Sequence, residues 1–260
     1  VISLEAKIKP KNYKVIELGV PTKSPFLERT YYRLFPFFFM KKRYIKKLEG
    51  YDEIRSLLYP MDALAYQVKK RYNTKYTAWF SGIAEGENLL ESVYMKIYRT
   101  FYYYYLKKAD KIVCVSNFVR NKLLKNTLID IKNTTVEYNE IDKTRFNKNV
   151  NNLYKEEIKR IEKKYNLSNK KIFLYVGRLA TSKRVDLLIK IFKMRKDEYP
   201  ESKLIIVGKP TFKRYFEKLL GMANEDIIFT GFVDDKELPA YYAVSDVYVT
   251  ASSDEGFNLP

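Results

Sequence analysis

Apolar runs in the second half of the chain alternate with segments whose apolar residues recur at helical spacing. Short, continuous apolar runs predict buried strands, and they lie at Ile172–Val176, Leu204–Val207, Ile227–Thr230 and Asp246–Thr250. Helical spacing occurs between them, at 185–192, 215–220 and 237–244. Strands that alternate with helices in this way predict parallel βαβ units and an open, doubly wound sheet.

The first half of the chain shows the same alternation less cleanly. Strands are predicted at Tyr13–Leu18, Tyr76–Phe80 and Lys111–Val115. Helical spacing covers Arg29–Leu48, with a kink expected at Pro36, and then Met61–Tyr72, Leu89–Lys107 and Phe118–Lys125. The whole chain is therefore expected to belong to the α/β class.

A polar, charged and Asn-rich stretch separates the two halves. We expect an N-terminal Rossmann-like domain over 1–150, a linker over 151–170 and a C-terminal Rossmann-like domain over 171–260. Two such domains would face each other across a cleft, and ligands of open parallel sheets bind outside the carboxyl ends of the strands. Because Val1 lies inside an apolar run, we also expect that the first strand of the N-terminal domain begins before it.

The composition excludes several classes of protein. The 260 residues include no histidine and a single cysteine, Cys114. A Ser-His-Asp hydrolase, a histidine-ligated zinc enzyme and a disulfide-stapled domain are therefore ruled out. Cys114 falls in an apolar strand, where an inert core thiol is expected. The scarcity of cysteine suits a cytoplasmic protein.

The charge is strongly positive and unevenly distributed. The net charge is +18, of which +14 belongs to residues 1–150 and +4 to residues 151–260. A solvated basic surface and an anionic partner both explain such a balance. No apolar stretch reaches the roughly 20 residues that a spanning helix requires, and no signal peptide is visible.

Two segments of the first half mix aromatic and basic residues, Arg29–Leu48 and Lys96–Lys108. Their aromatic side chains could face a core while the lysines are solvated. Alternatively, the segments could lie on an anionic membrane, which would place the protein peripherally at its inner face. Nucleic acid is a third possibility, but the sequence has no RNP, KH or helix-turn-helix signature, so this partner is disfavoured.

Two segments at predicted strand ends could hold an anion. Gly177 allows a sharp turn after its strand, and Arg178 and Lys183 follow it as cations that could neutralise a phosphate. The loop 251–260 contains Glu255 and ends in Pro260, a residue favoured at the first position of a helix. Backbone amides there would form an anion site, and Glu255 could accept hydrogen bonds from sugar hydroxyls. Without a ligand, the segment after Gly177 would be an ordinary surface turn, and the segment 251–260 would be a loop that caps a helix.

The order of several motifs resembles that of family 4 glycosyltransferases, the "group 1" type. In the second half the motifs are Gly177-Arg178-Leu179 with Lys183, Ile206-Val207-Gly208, Thr230-Gly231-Phe232-Val233, Ser245-Asp246-Val247-Tyr248-Val249 and Glu255-Gly256-Phe257-Asn258-Leu259-Pro260. In the first half they are Ala109–Ser116 and Tyr138–Asp142 with Phe146. The resemblance covers 110–260 well and 1–110 loosely. It implies the GT-B fold, in which two Rossmann-like domains face a cleft.

The resemblance also implies an activity: transfer of a sugar from a UDP-, GDP- or ADP-sugar to a glycan or lipid-linked acceptor, with retention and without a metal or other cofactor. Arg178 and Lys183 would hold the donor diphosphate, and Glu255 would lie near the donor sugar. These three are the implied catalytic residues. The remaining implied donor contacts are Gly177, Gly231, Phe232, Val233, Gly256, Phe257, Asn258 and Leu259, and the implied acceptor-side residues are Ser81, Gly82, Asn117 and Asn139.

The sequence departs from the family pattern in several places. Many members carry a histidine after the strand that corresponds to Tyr76–Phe80, where this chain has Ser81-Gly82. The second Glu of the family's Glu-x7-Glu motif would lie three residues beyond Pro260. Glu140 stands where the family usually has Gly, and Asn258 where Gly is common. The C-terminal domain is therefore expected to be incomplete. These departures also keep a second hypothesis open: a degenerate, non-catalytic GT-B module that binds nucleotide, an anionic membrane or nucleic acid.

Overall fold

The computed structural model describes residues 2–3, 16–17, 42–57, 61–83, 89–147, 149–253 and 255–257. The chain divides into two compact units, 1–138 and 139–260.

Unit 1 contains a parallel sheet with helices between its strands. Its strands are β1 (Ile2–Ser3), β2 (Ile16–Glu17), β3 (Glu53–Ser56), β4 (Lys75–Phe80), β5 (Lys111–Cys114) and β6 (Thr134–Val136). Its helices are α1 (Lys42–Lys46), α2 (Met61–Tyr72), α3 (Leu89–Leu106) and α4 (Asn117–Asn126). The strands β3, β4, β5 and β6 pair in this order, all in parallel, and β1 pairs with β2.

The predicted strands at Tyr76–Phe80 and Lys111–Val115 are confirmed as β4 and β5. Their apolar side chains are buried, including Ala78 and Cys114. By contrast, β3 and β6 were not predicted, because they are short and polar in sequence. Of the predicted strand Tyr13–Leu18 only Ile16–Glu17 is described. Most of the predicted helix Arg29–Leu48 lies outside the described residues. Its last residues are described, and they contain α1.

Unit 2 has the doubly wound arrangement that the sequence predicts. Its elements are α5 (Val150–Leu153), α6 (Lys155–Tyr165), β7 (Lys171–Val176), α7 (Val185–Met194), β8 (Ser202–Val207), α8 (Lys213–Met222), β9 (Ile227–Gly231), α9 (Leu238–Ala243) and β10 (Val247–Tyr248). The parallel strand order is β10-β7-β8-β9. Alternate residues of β8 enter opposite cores: Leu204 and Ile206 pack in the core of α7 and α8, whereas Ile205 and Val207 pack in the core of α6 and α9.

The stretch 151–170 differs from the predicted linker. It contains α6, whose Ile161 is only 2% exposed and packs in the core of unit 2 together with the half-buried Ile158 and Tyr165. These three apolar residues form a narrow stripe along an otherwise charged helix. A single stripe is enough to anchor a helix to a sheet, although the average composition of the segment is polar.

None of the helices in the described part of the chain is both long enough and apolar enough to cross a membrane.

Candidate functional site

The carboxyl ends of the unit 2 strands lie at one edge of the sheet, and two glycines let their loops approach closely there. Gly177 follows β7 and Gly208 follows β8; their amides bond to Val207 O at 2.9 Å and Gly231 O at 2.8 Å. A Cβ on Gly208 would lie 1.8 Å from the carbonyl oxygen of Gly177, and the φ of Gly208 is +150°. Only glycine fits this position, so the loops after β7 and β8 are in backbone contact.

Arg178 is exposed at this edge on a firmly anchored backbone. The next residue, Leu179, is buried, and its amide bonds to the carbonyl of Lys209 at 2.9 Å. The hydroxyl of Tyr175 donates to the carbonyl oxygen of Arg178 at 3.0 Å. Burial, with the nearby Tyr248 and Glu255, raises the pKa of Tyr175, so this hydroxyl stays protonated and keeps its donor role.

Lys183 ends a short 3-10 turn, Thr181–Lys183, just before α7. The following residue, Arg184, has a left-handed backbone with φ +50° and bonds through its amide to Thr181 O at 3.0 Å. A non-glycine residue in this conformation is uncommon and occurs where the surrounding structure enforces it. The turn holds Lys183 at the start of α7, on the same edge as Arg178.

Glu255 reaches Lys183 because the loop after β10 is tied to the loop after β7. Ser253 donates from both its amide and its hydroxyl to the carbonyl of Ser182, at 3.1 Å each. Two residues further on, Glu255 Oε1 lies 2.6 Å from Lys183 Nζ. The side chains of Lys183 and Glu255 are 19% and 25% exposed, so this ion pair is partly shielded from water. The three predicted catalytic residues thus lie along one edge of the sheet, and two of them are in contact.

Asp246 fixes the strand that carries this loop. Its carboxylate accepts a hydrogen bond from the amide of Ile172 at 2.7 Å and lies 3.2 Å from Lys171 Nζ. These contacts, the amide bond first, lower the pKa of Asp246. Because Ile172 belongs to β7, the aspartate sets the alignment of β10 against β7. The pairing of β10 with β7 therefore explains the Ser-Asp-Val motif in this chain.

An exposed aromatic residue stands at the end of β9. Gly231, with φ +73°, ends the strand, and the ring of Phe232 is 62% exposed. Lys209, from the loop after β8, places Nζ 4.3 Å from the centroid of that ring. Val233 is half-buried against the core. The sequence predicts the loop of Phe232 as a donor contact. Lys209 was not predicted at this site, because its only signal in the sequence is that it directly follows the glycine after β8.

The remaining predicted donor contacts are only partly described. Gly256 and Phe257 are half-buried beside Glu255. Asn258 and Leu259, like Pro260, lie outside the described residues. Among the residues that the structure describes, no three His, Cys, Asp or Glu side chains come close enough to hold a metal ion.

The predicted acceptor-side residues do not all belong to one unit. Ser81 and Gly82 directly follow β4, and Asn117 opens α4 after β5, so these three lie at the carboxyl ends of strands in unit 1. Asn117 donates to the hydroxyl of Tyr138 at 3.1 Å. Asn139, in contrast, is the first residue of unit 2.

The turn around Glu140, where the family usually has Gly, forms without left-handed backbone at that residue. Asp142 accepts hydrogen bonds from the amide and the hydroxyl of Thr144, at 3.0 and 2.5 Å. These bonds lower the pKa of Asp142. Phe146 packs edge-to-face on Tyr242 of α9, with ring centroids 5.7 Å apart. The segment is thereby attached to unit 2 by contacts that need no glycine.

Comparison with known proteins agrees with this architecture. Residues 156–260 match the family model described as glycosyl transferases group 1. An uncharacterised glycosyltransferase of Methanocaldococcus jannaschii is 27% identical over 81% of this chain and 52% of the relative. The alpha-monoglucosyldiacylglycerol synthase of Streptococcus pneumoniae is 24% identical over 71% of this chain and 41% of the synthase. The chain spans about half the length of the first of these relatives and less of the second.

Solved structures show the same fold. HepE from Anabaena, in complex with UDP and glucose, matches with a TM-score of 0.66 at 18% identity, over 83% of this chain and 57% of HepE. Fold and site together define the class: an α/β protein built from the parallel sheets of the GT-B glycosyltransferases. Within that class, the segment 156–260, which carries the site, matches the glycosyl transferases group 1 family.

Proposed function

We propose that this protein transfers a hexose from a nucleotide-diphosphate sugar to a glycan or lipid-linked acceptor, with retention and without a metal. One observation carries the proposal. Arg178, Lys183 and Glu255 lie along the carboxyl edge of the unit 2 sheet, with Lys183 Nζ 2.6 Å from Glu255 Oε1. Two cations and one carboxylate in this arrangement suit a diphosphate next to a sugar.

The proposed chemistry depends on stabilising a leaving group. The bond between C1 of the sugar and the diphosphate oxygen breaks, the acceptor oxygen bonds to C1, and the acceptor proton leaves with the nucleoside diphosphate. Negative charge develops on the diphosphate as that bond breaks. Arg178 and Lys183 would stabilise it, and cations preorganised on a rigid loop are an effective source of rate enhancement. Glu255 would accept hydrogen bonds from the donor sugar.

UDP is the first candidate for the nucleotide, because HepE was solved with UDP and glucose; GDP and ADP remain alternatives. We place the base near Phe232, whose exposed ring and adjacent Lys209 offer a stacking surface at the end of β9. A lipid-linked acceptor is supported by the relative that is named alpha-monoglucosyldiacylglycerol synthase.

We further propose a cytoplasmic protein that attaches peripherally to anionic membranes through α3. Its outward face exposes Ile97, Phe101 and Tyr104, which are 55%, 36% and 49% exposed and spaced four and three residues apart. Exposed lysines flank this face at positions 96, 107 and 108. Apolar and aromatic side chains framed by lysines suit the headgroup layer of an anionic bilayer. Nucleic acid is not part of the proposal.

The competing function is a non-catalytic module that binds nucleotide without transferring sugar. The absence of histidine from the sequence favours it, since Ser81 and Gly82 stand where many family members have a histidine. The acidic partner of Lys183 favours the enzyme. A binding module needs cations for the diphosphate, but it has no use for a carboxylate that would repel the same group.

The test combines binding with turnover. Thermal-shift titrations with UDP, GDP and ADP should show stabilisation by one of them, and the double variant Arg178→Ala/Lys183→Ala should abolish it. The matched control is Lys190→Ala/Arg195→Ala, which removes one exposed cation from α7 and one directly after it, and should leave the shift unchanged. No shift with any nucleotide would overturn the donor site.

Turnover separates the two functions. Incubation with the sugar derivative of the preferred nucleotide should release the nucleoside diphosphate, at a rate that EDTA does not change. The double variant should lower kcat/KM by at least about 1,000-fold, because the removal of a single transition-state contact of this kind already costs about 100- to 1,000-fold. Nucleotide binding without any turnover would assign the non-catalytic module instead.

A further inference from the structure

The first turn of α7 is stabilised by a side chain from another helix. The first amides of a helix have no partner within it. Within the described part of the chain, Arg184, which precedes α7, gives the helix no side-chain cap. Instead, the amide of Asp186 donates to the hydroxyl of Tyr215 at 3.2 Å, although Tyr215 belongs to α8. A tyrosine of the neighbouring helix therefore takes the role of a cap.

Two bonds to the same residue hold the hydroxyl of Tyr215 in one orientation. It accepts from the amide of Asp186 and donates to Asp186 Oδ1 at 3.0 Å. The second carboxylate oxygen, Oδ2, lies 2.8 Å from Nζ of Lys218, which is also on α8. We call Asp186, Tyr215 and Lys218 the α7–α8 clamp, because they join the first turns of the two helices.

The α7–α8 clamp is rigid because its central ring is buried. Tyr215 is 7% exposed and packs with Leu188 and Leu219 in the core of α7 and α8. Burial raises the pKa of Tyr215 to about 12, so its hydroxyl keeps a proton to donate. Burial alone would also raise the pKa of Asp186, but the hydrogen bonds from Lys218 and Tyr215 outweigh it and lower that pKa. At neutral pH both groups therefore have the protonation states that these bonds require.

Both sides of the α7–α8 clamp continue into residues of the proposed donor site. On one side, the turn that ends at Lys183 leads directly into the first turn of α7 and Asp186. On the other side, the loop after β8 carries Lys209 and leads into α8 and Tyr215. The clamp therefore fixes the turn of Lys183 against the helix that follows Lys209.

The backbone between Lys183 and Asp186 is strained. Arg184 has φ +50° and ψ +39°, a left-handed conformation that is unfavourable for a residue with a side chain. Such a conformation persists where the surrounding structure enforces it. The carbonyl of Arg184 accepts from the amides of Leu187 and Leu188, at 3.0 and 3.1 Å. The turn is thus bonded to the start of α7, and a shift of that helix end would move Lys183 with it.

We propose that Tyr215 and Asp186 are positioning residues of the donor site, which hold the start of α7 and, through it, place Lys183 against the leaving diphosphate. This inference rests on the proposed function, because it assigns the α7–α8 clamp to the turnover of a nucleotide sugar. Neither residue has to touch the substrate for this role. A misplacement of about 1 Å can lower a rate roughly 100-fold, even when its cause lies away from the reacting atoms.

The test is a double-mutant cycle. Tyr215→Phe keeps the buried ring and removes only the hydroxyl. It should lower kcat/KM for UDP-glucose, or for GDP- or ADP-glucose if the thermal shift selects that nucleotide, by about 10- to 100-fold. In the Lys183→Ala background the same substitution should change kcat/KM by less than about twofold, because Tyr215 acts through Lys183. A merely structural role would lower the rate by the same factor in both backgrounds.

Asp186 tests the same contact from its other side. In Asp186→Asn the side-chain oxygen can still accept from Tyr215, and only the exposed pair with Lys218 loses its charge, so this variant should keep most of the activity. Asp186→Ala should lose as much activity as Tyr215→Phe. The matched control is Tyr241→Phe, which removes a buried hydroxyl bonded to Tyr165 on the opposite face of the unit 2 sheet. It should change kcat/KM by less than about twofold.

The cycle is repeated on the affinity for the same nucleoside diphosphate by calorimetry, so that it does not depend on turnover. Tyr215→Phe should weaken the affinity at least about threefold when Lys183 is present and leave it unchanged in Lys183→Ala. Equal effects in both backgrounds, or equal effects of Tyr215→Phe and Tyr241→Phe, overturn the positioning role; sugar transfer by the wild type would then still support the proposed function. If the wild type binds nucleotide but transfers no sugar, the proposed function fails and the affinity cycle decides on the α7–α8 clamp. Absence of nucleotide binding overturns both.

Discussion

Lys183 and Glu255 form the most informative pair of residues at the unit 2 site. The carboxylate holds the ammonium in place but would also compete with a diphosphate for it. Replacing Glu255 by Gln removes the negative charge that competes with the diphosphate for Lys183, and it keeps the shape of the side chain. We therefore expect Glu255→Gln to bind UDP as tightly as the wild type or up to about tenfold more tightly, while sugar transfer falls by about 100-fold.

The measurement is a calorimetric titration with UDP next to a kinetic assay. Glu198→Gln serves as the control, because Glu198 pairs with Arg195 on the surface. This variant should change neither the affinity for UDP nor the rate of sugar transfer. Weaker UDP binding in Glu255→Gln would show that the carboxylate positions Lys183 instead of competing for it.

Asp62 is a buried carboxyl of unit 1 that gives a pH-dependent prediction. Its Oδ1 accepts from Tyr76 and Ser56, at 2.6 and 2.7 Å, whereas Oδ2 has no partner among the residues that the structure describes. Burial raises the pKa of Asp62 above 3.8. The neutral acid contributes stability that is fully present below pH 3.8 and is lost as the pH rises through the raised pKa. Asp62→Asn should therefore increase the free energy of unfolding at pH 8, by about 1 kcal/mol, and not at pH 3.5.

Asp110, which also belongs to unit 1, has a lowered pKa and therefore the opposite pH dependence. Burial alone would raise its pKa, but hydrogen bonds from Lys69 at 2.6 Å and from the amide of Tyr76 at 2.9 Å outweigh burial and lower it. Asp110→Asn should thus lose stability at pH 8 and converge with the wild type in acid. Urea unfolding at several pH values measures both variants; parallel curves for wild type and Asp62→Asn would contradict the assignment.

Among the elements of unit 2, the contact between the loops after β7 and β8 is the most sensitive to substitution. Gly208→Ala would force a methyl group to within 1.8 Å of the Gly177 carbonyl oxygen, so the loops must separate. We expect a loss of about 3 kcal/mol or more in the free energy of unfolding, together with weaker nucleotide binding.

Gly221 is the control for that substitution. It lies in α8, and a Cβ there meets no atom within 4 Å. Gly221→Ala should therefore stabilise the protein by about 0.5–1 kcal/mol, because glycine is a poor helix former. Thermal or urea unfolding measures both variants. Equal effects would mean that the close approach does not constrain the loops.

The charge of the whole molecule, +18, gives a prediction about membranes. We expect the protein to sediment with anionic vesicles, less so as the salt concentration rises, and not with neutral vesicles. Phe101→Ser/Tyr104→Ser on α3 should lower the partition coefficient roughly tenfold or more, since two apolar contacts are lost. The control is Leu128→Ser/Ile131→Ser, which changes two other exposed apolar residues of unit 1. Equal loss in both variants would exclude α3 as the membrane-binding face.

The sequence predicted the buried strands better than the strands at the edges of the sheets. The runs at Ile172–Val176 and Leu204–Val207 are buried on both faces of the sheet, so continuous apolarity marks them unambiguously. The edge strands β3 and β6 have no such pattern, and their pairing partners define them instead. The predicted strand Asp246–Thr250 is observed as Val247–Tyr248, with its pairing extended by the amides of Asp246 and Val249 to β7.

The sequence by itself determined the α/β alternation, the basic charge and the identity of Arg178, Lys183 and Glu255, because each depends on local pattern or on residue type. Only the tertiary structure decided which of them meet. The contact between Lys183 and Glu255 depends on the pairing of β10 with β7 and on the bonds from Ser253 to Ser182. Contacts between residues far apart in sequence leave no periodic signal in it, since they are set by how the elements pack.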